Sequence, residues 1–544
     1  MVLPPSSSEP QPEDLNLPLL PPSSQEAIVL DDNSPAPAER HVDGPEMSHP
    51  GLGRHLGLFS TTLLIAGRII GTGIFSTPGA ITKGAGSVGA ALLLWTLGLS
   101  IAFSGLMVWL ELGCMIPRSG GEKVYLEAAY QRPKLLATTV FAFQAILLGF
   151  SANGCIIFAQ YVLIAAGHTA TEWQKRGIAI AVISFVTVLH TVFPKWGVRG
   201  MNIVSLIKIG TLLFIVVAGW VVLGGGVSRV LDPHASFREP FGNTSESGHQ
   251  WAIALFKVLN SYQGWSNAAY VVDEIKHPVR TLKIAGPLGL SICGACFIFA
   301  NISYFAAATP EEVSQSGQTV ASLFMKKVFG ATAEKVLSVL IAMSAFGNVM
   351  TVTFAQSRVN QELAKEGIIP ASRFWASSWP FGSPSSGLLL HWIPSFVVIV
   401  AIPFGDAYNF ILDLEGYPLS IINFFVVVGL FWLRHSRPKI RRPFRCWLPI
   451  AAFYLCAQVF LIVAPFLRPP NGKGDTSLPY WLFAVVGIMI LLAGVVYWAF
   501  RYKIMPAIGT YRLGLARSVF SDNNTAVRYQ SLRSSHEEER SNLE

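Results

Sequence analysis

Charge is scarce in this sequence. Only 13% of its 544 residues are Asp, Glu, Lys or Arg, against roughly 25% in an average soluble protein. A soluble chain of this length must cover a large surface with polar side chains, and this one lacks them. Cysteine is sparse as well, with six in the chain: Cys114, Cys155, Cys293, Cys296, Cys446 and Cys456. All lie in or beside apolar segments. Cys293 and Cys296 have C-x-x-C spacing, but there is no second pair and no histidine cluster. They read as small packing residues, and no zinc site, redox site or disulfide framework is implied. H-E-x-x-H, G-x-S-x-G and paired intramembrane aspartates are missing, which leaves an intramembrane enzyme without support. No G-x-x-x-x-G-K-[ST] loop supports a primary pump. No cleavable signal peptide is visible, because the first apolar run starts near Leu56 and the residues before it are rich in Pro, Ser, Asp and Glu.

What the chain does have is apolar residues, 51% of the total, with a mean hydropathy of +0.47. They come in long runs rather than at amphipathic spacing, so lipid is the natural solvent for the outer surface. A bilayer core of about 30 Å needs about 20 apolar residues as helix. About twelve runs qualify: 58–82, 88–115, 135–165, 177–193, 201–224, 251–272, 285–307, 333–363, 387–404, 407–433, 447–466 and 479–500. The third and eighth are long enough to tilt or to project past the membrane. The expected organisation is a disordered cytosolic tail over 1–50, a transmembrane domain over 51–505 and a cytosolic C-terminal tail over 506–544.

The net charge of +8 forms no continuous basic stripe, so nucleic acid is not the partner it implies. With the N-terminus inside, the inner loops carry Arg118, Lys123, Arg132, Lys134, Lys195, Arg199, Lys276, Arg280, Lys283, Lys365 and Arg373, and then the basic run 434–445. This positive-inside bias sets the orientation, and an even number of spans puts both tails in the cytosol. Asn243-Thr244-Ser245 then falls in the largest outer loop as a potential glycan acceptor.

Two spans carry break signals at mid-depth. Span one holds Gly67-Arg68-Ile69-Ile70-Gly71-Thr72-Gly73, and span six holds Asn260-Ser261-Tyr262-Gln263-Gly264-Trp265-Ser266-Asn267. Unwound backbone is tolerated in a membrane only where protein or a cavity satisfies it. Interrupted helices at matching positions of two halves point to a transporter's binding site. Free N–H groups at a half-helix N-terminus bind a carboxylate, and freed carbonyls accept from an ammonium. Gly67-x-x-x-Gly71 also fits plain helix packing; the second break, in span six, tips the balance towards binding.

Ionisable residues inside spans are functional candidates. Lys208 lies seven residues into run 201–224, about 10 Å from its inner end. It either snorkels to the interface or acts as a fixed or coupling cation. Arg68 sits just inside the first break, as a gate ion pair, a carbonyl clamp or a snorkelling cation. Glu111, near the inner end of span two, reads as an exposed structural charge.

Residues 67–78 (GRIIGTGIFSTP) resemble the first-helix motif of amino-acid permeases in the amino acid–polyamine–organocation superfamily. Residues 111–125 (ELGCMIPRSGGEKVY) resemble its motif at the end of helix two. Residues 262–280, with GWSN and DEIKHPVR, look like helix six and its loop. Residues 347–370 look like helix eight. Residues 431–449, opening FWLRHSRPKIRRPF, look like the loop after helix ten. The likeness covers about 51–505 and is greatest to the L-type transporter group, and within it to fungal high-affinity methionine permeases.

This resemblance implies an all-α fold with a five-plus-five inverted-repeat, LeuT-like core, two extra helices, and helices one and six interrupted. It implies that Thr72 and Gly73 bind a substrate carboxylate. The Ile69 carbonyl and the backbone at Asn260 and Ser261 would take the ammonium, with Ile70, Gly71, Tyr262 and Gln263 completing the site. It places Lys208 where sodium-coupled relatives hold a cation; a buried ammonium can take that role. Asn260 departs from the group's bulky aromatic gate, and Gln263 replaces a glycine, so rules for large aromatic substrates do not carry over. Metazoan relatives join a glycoprotein heavy chain through a cysteine in the loop after helix three. Residues 167–176 have none, which implies a stand-alone permease.

The expected function is proton-coupled import of a neutral amino acid, with methionine the first choice and no cofactor beyond the proton. An amino-acid exchanger and a nutrient sensor of the same fold are the alternatives. Family members are withdrawn from the surface by ubiquitin on cytosolic lysines. No lysine precedes Lys83 and none follows Lys503, so the expected acceptors are Lys503, Lys123, Lys134, Lys276 and Lys365, with a ligase adaptor on the tails.

Overall fold

A computed structural model of the chain describes residues 54–167, 171–317, 319–401, 406–469, 478–508, 511–519 and 525–533. The expected disordered tail over 1–50 lies outside the described residues. Among the described residues, ten helices are long and apolar enough to cross a membrane. Span one is Leu58–Ile69 followed by Gly73–Ser76 and Pro78–Ala85, and span two is Val88–Met115. Span three is Leu136–Leu147 and Ala152–Ala165, span four Glu172–Val192 and span five Pro194–Leu223. Span seven is Pro278–Ala307, span eight Ala331–Lys365, span ten Asp406–Ser436, span eleven Leu448–Val463 and span twelve Leu482–Ala499. The runs expected as spans six and nine hold shorter helices, Gly248–Tyr262 and Ser385–Ala401, of 15 and 17 residues. Beyond the helices, Tyr511–Val519 pairs antiparallel with Thr525–Arg533.

Local chemistry sets the helix ends. Pro78, Pro194 and Pro278 each open a helix, where a missing N–H costs nothing. The Ser87 hydroxyl accepts from the Ala90 N–H at 3.3 Å, and Thr171 and Gln174 form a capping box. Spans four and five therefore begin earlier than their apolar runs suggest, at Glu172 and Pro194 rather than at 177 and 201.

The surface is apolar, as lipid requires. Phe185, Val217, Trp220, Met489 and Val496 are all exposed on span faces. Trp173 and Trp196 stand exposed near helix ends, with Arg176 and Arg199 over their rings at 4.9 and 5.2 Å; the aromatic belts of membrane proteins combine these residue types.

Span three is broken, where the sequence suggested one long helix. Its helix stops at Leu147 and resumes at Ala152. The loose groups are satisfied from neighbouring spans. Gln356 Nε2 of span eight donates to the Ala145 carbonyl at 2.6 Å. The Ser151 N–H donates to Ser395 Oγ of span nine at 3.0 Å, and Ser151 Oγ lies 2.9 Å from His391 Nε2.

The end expected to face the cytosol is held by ion pairs. Glu111 is fully buried, not exposed. It takes Arg434 Nε at 3.0 Å and the Cys446 N–H at 2.7 Å, and it pairs with Arg442 at 3.4 Å. The basic run after span ten folds back over it, which is why a charge on a helix face ends up inside. Lys123 is likewise buried rather than a free loop lysine, because the helix Glu122–Ala129 packs it against Glu366 at the end of span eight. Glu274 pairs with Arg358 of span eight at 2.8 Å and lies 3.4 Å from His55. Backbone joins in: the Leu56 N–H donates to the Glu274 carbonyl at 2.9 Å, and the Lys276 N–H donates to the Leu56 carbonyl at 2.8 Å. The segment before span one is thus zipped to the segment after span six.

Glu111→Ala leaves two mostly buried guanidinium groups without their fully buried carboxylate, a change that costs about 3 kcal/mol. The expected outcome is a clear drop in melting temperature in detergent, followed by size-exclusion fluorescence, and reduced amounts of protein at the membrane.

Candidate functional site

The first helix of span one ends at Ile69, and Ile70 leaves helical geometry with φ −73° and ψ 78°. Helix resumes at Gly73. Among the described residues, the N–H groups of Thr72, Gly73 and Ile74 have no hydrogen-bond partner. They are the unsatisfied donors of a helix N-terminus. The carbonyls before the break are mostly claimed. In a continuous helix the Gly67 carbonyl would accept from the Gly71 N–H. Here Lys208 Nζ takes that place at 2.7 Å, while the Gly71 N–H turns back to the Ile69 carbonyl at 2.8 Å. The Ile69 carbonyl keeps one lone pair for another donor. The Gly71 carbonyl accepts from Ser344 Oγ of span eight at 3.0 Å.

Lys208 is 1% exposed, so it does not snorkel. Because span five starts at Pro194, the residue lies fourteen positions into the helix, about 20 Å along it. That is twice the depth its apolar run implied.

The span-six helix ends at Tyr262, so Asn260 to Tyr262 form its last turn and the interruption itself begins at Gln263. Gln263 is extended, with ψ 139°, and Gly264 follows at φ +119°. Only glycine suits this position, because a Cβ there would lie 2.3 Å from Cγ of Arg68. The two breaks touch directly. A Cβ on Gly73 would lie 2.8 Å from Ser261 Oγ and 3.1 Å from Ser261 Cα. Thr77 Oγ1 and Ser261 Oγ lie 3.0 Å apart.

The structure therefore brings Ile69, Ile70, Gly71, Thr72 and Gly73 together with Asn260, Ser261 and Gln263. Tyr262 is different. Its ring is buried against Trp95 and Phe297, with centroids at 5.6 and 5.2 Å, so only its backbone belongs to the break. Gln263 and Asn260 border a cavity of about 80 Å³ shared with Ser266, Gly416, Tyr454 and Gln458.

Arg68, whose partner the sequence left open, donates from Nη1 to Asn348 Oδ1 of span eight at 3.2 Å. The same Asn348 amide packs on Gly71, where a Cβ would come within 2.8 Å of its Nδ2. Asn348 joins this centre unforeseen, and the hydrogen bond from Asn153 Nδ2 to Glu415 Oε2, at 3.1 Å, was unforeseen as well. Their signal was present, since each is a polar residue in an apolar run. Sequence spacing does not say which way such residues face.

The chain belongs to the amino acid permease family, whose model matches residues 56–495. The resemblance read from its motifs is thereby established. Among its relatives, the high-affinity methionine permease of Saccharomyces cerevisiae is 39% identical, over 85% of this chain and 81% of the relative. The low-affinity methionine permease of the same yeast is 32% identical, over 85% of each chain. The b(0,+)-type amino acid transporter 1 of Mus musculus is 26% identical, over 88% of this chain and 93% of the relative. With ten apolar spans, the protein is a multi-pass membrane protein of an amino-acid-transporting family.

Gly73→Val tests the contact between the breaks. Its branched side chain would force Ser261 away, and amino-acid uptake is expected to vanish while the protein still reaches the membrane. Uptake at the unsubstituted level, at equal surface protein, would remove Gly73 from the site.

Proposed function

We propose that the protein imports a neutral amino acid, methionine first among candidates, across the plasma membrane by alternating access coupled to protons. The observation that carries this reading is the meeting of two interrupted helices around unpaired donors. Thr72, Gly73 and Ile74 offer free N–H groups at the start of a half-helix, suited to a carboxylate. The Ile69 carbonyl and the backbone at Asn260 and Ser261 offer acceptors for an ammonium across the same gap. Ile70, Gly71, Tyr262 and Gln263 complete the backbone of the site. The names of the two yeast relatives favour methionine. Asn260, in place of a bulky gate, suits an unbranched side chain.

The breaks at spans one and six support a five-plus-five inverted-repeat core with two additional helices. The ion pairs joining Glu274 to Arg358 and Lys123 to Glu366 serve as the inner gate. Lys208 ties span five to the Gly67 carbonyl beside the break, where an ammonium acts as the cation of the coupling machinery. The orientation follows the loop lysines and arginines, with both tails cytosolic. No cofactor is required. The absence of a cysteine in 167–176 supports a permease without a disulfide-linked heavy chain.

Competition of labelled methionine uptake by a panel of unlabelled amino acids tests the substrate. Methionine should compete best, and indifference to methionine would reject it. Lys208→Ala should cripple concentrative uptake and alter its pH dependence, with exchange of internal for external substrate partly retained. Undiminished accumulation with an unchanged pH profile would count against a coupling role.

Withdrawal by ubiquitin, recruited through an adaptor on the tails, is restricted by lysine placement. Lys123 is sealed against Glu366 and drops out as an acceptor in the folded protein, whereas Lys134, Lys276 and Lys503 are exposed. Mass spectrometry of ubiquitin remnants after substrate excess should find modification at the exposed lysines and none at Lys123. Substrate-triggered modification that persists after all the inner-loop lysines and Lys503 are changed to Arg would reject this assignment.

A further inference from the structure

Most acidic residues at the ends of the spans are neutralised. Glu111 is held by Arg434 and Arg442, Glu362 by Lys365, and Glu366 by Lys123. Glu415 on span ten is not. Its Oε2 accepts one hydrogen bond, from the neutral Asn153 Nδ2 of span three, at 3.1 Å. Among the described residues no cation lies within ion-pair distance of it. The charge that acts on it from further away is the Arg68 guanidinium of span one. Tyr270 and His391 also lie within reach of the Arg68 charge.

The next residue, Gly416, is where span ten touches the other break. A Cβ there would lie 3.1 Å from Asn260 Oδ1. Two consecutive residues of span ten thus address both interrupted helices, Glu415 through Arg68 and Gly416 through Asn260. Glu415 is only partly buried within the protein. A lone carboxylate in low-dielectric surroundings is costly unless it is paired or takes a proton.

We propose that Glu415 is the group that loads and releases the coupling proton, an assignment that rests on the proton-coupled reading above. A hydronium ion from the outer side transfers its proton to a Glu415 oxygen, forming an O–H bond and leaving water. The neutral carboxyl no longer attracts Arg68. Arg68 is free to shift its hold on Asn348, and with it the backbone of span one that Lys208 grips at Gly67. On the inner side the O–H bond breaks, the proton passes to water, and the carboxylate again draws Arg68 towards span ten. Substrate and proton are linked because both act on the backbone around Arg68.

The test uses the full chain purified into liposomes, with a pH-sensitive dye inside and labelled methionine outside. In Glu415→Gln, accumulation driven by an acid-outside gradient should fall about tenfold or more, and methionine-evoked internal acidification should vanish. Counterflow against internal methionine, which needs no net proton movement, should remain within about threefold of the unsubstituted protein. Glu415→Asp should keep acidification, with a displaced pH profile. Acidification in Glu415→Gln equal to that of the unsubstituted protein overturns the assignment and leaves proton coupling standing. Loss of counterflow in both variants also overturns it, making Glu415 part of the framework. An unsubstituted protein that shows counterflow but no gradient-driven accumulation and no acidification overturns the proton-coupled reading itself, and the assignment with it.

Discussion

Breaking a helix inside a bilayer frees backbone groups that lipid cannot satisfy, and each one left bare costs several kcal/mol. The arrangement at the centre of this protein follows from how that cost is met. Lys208 reaches from span five to the Gly67 carbonyl and Ser344 reaches from span eight to the Gly71 carbonyl; at the break in span three, Gln356 donates to the Ala145 carbonyl and Ser395 Oγ accepts from the Ser151 N–H. Carbonyls are taken over by neighbouring side chains, while the N–H groups at Thr72, Gly73 and Ile74 are left open. The asymmetry has chemical content. Donors without acceptors attract an anion.

The same economy governs charge. At the inner end the carboxylates of Glu111, Glu274 and Glu366 each have a guanidinium or ammonium against them, and these pairs join segments that would otherwise be loose. The backbone zipper between Leu56 and Ile275 adds a contact that must part if the inner end is to open. Movement therefore means exchanging ion pairs and hydrogen bonds for water, which is feasible at the aqueous end and not at mid-depth. The centre relies instead on small residues in close approach, Gly73 on Ser261 and Gly264 on Arg68.

Composition and run length by themselves determined that this chain belongs in lipid, because a bilayer demands long apolar stretches and nothing else produces them. The break in span one was legible too, since glycine at 67, 71 and 73 is a local signal. The motif at 67–78 led to the family that the comparisons then established. Span three was misread as continuous because its interruption depends on hydrogen-bond partners from spans eight and nine, which no local pattern reveals. Lys208 was placed too shallow because Pro194, and not the apolar run, starts its helix. Glu111 and Lys123 were read as accessible because their partners, Arg434 and Glu366, lie hundreds of residues away in the chain. The direction a side chain faces, and the charge it meets there, belong to helix rotation and packing. These are set by contacts across the whole bundle, so only the tertiary structure could decide them.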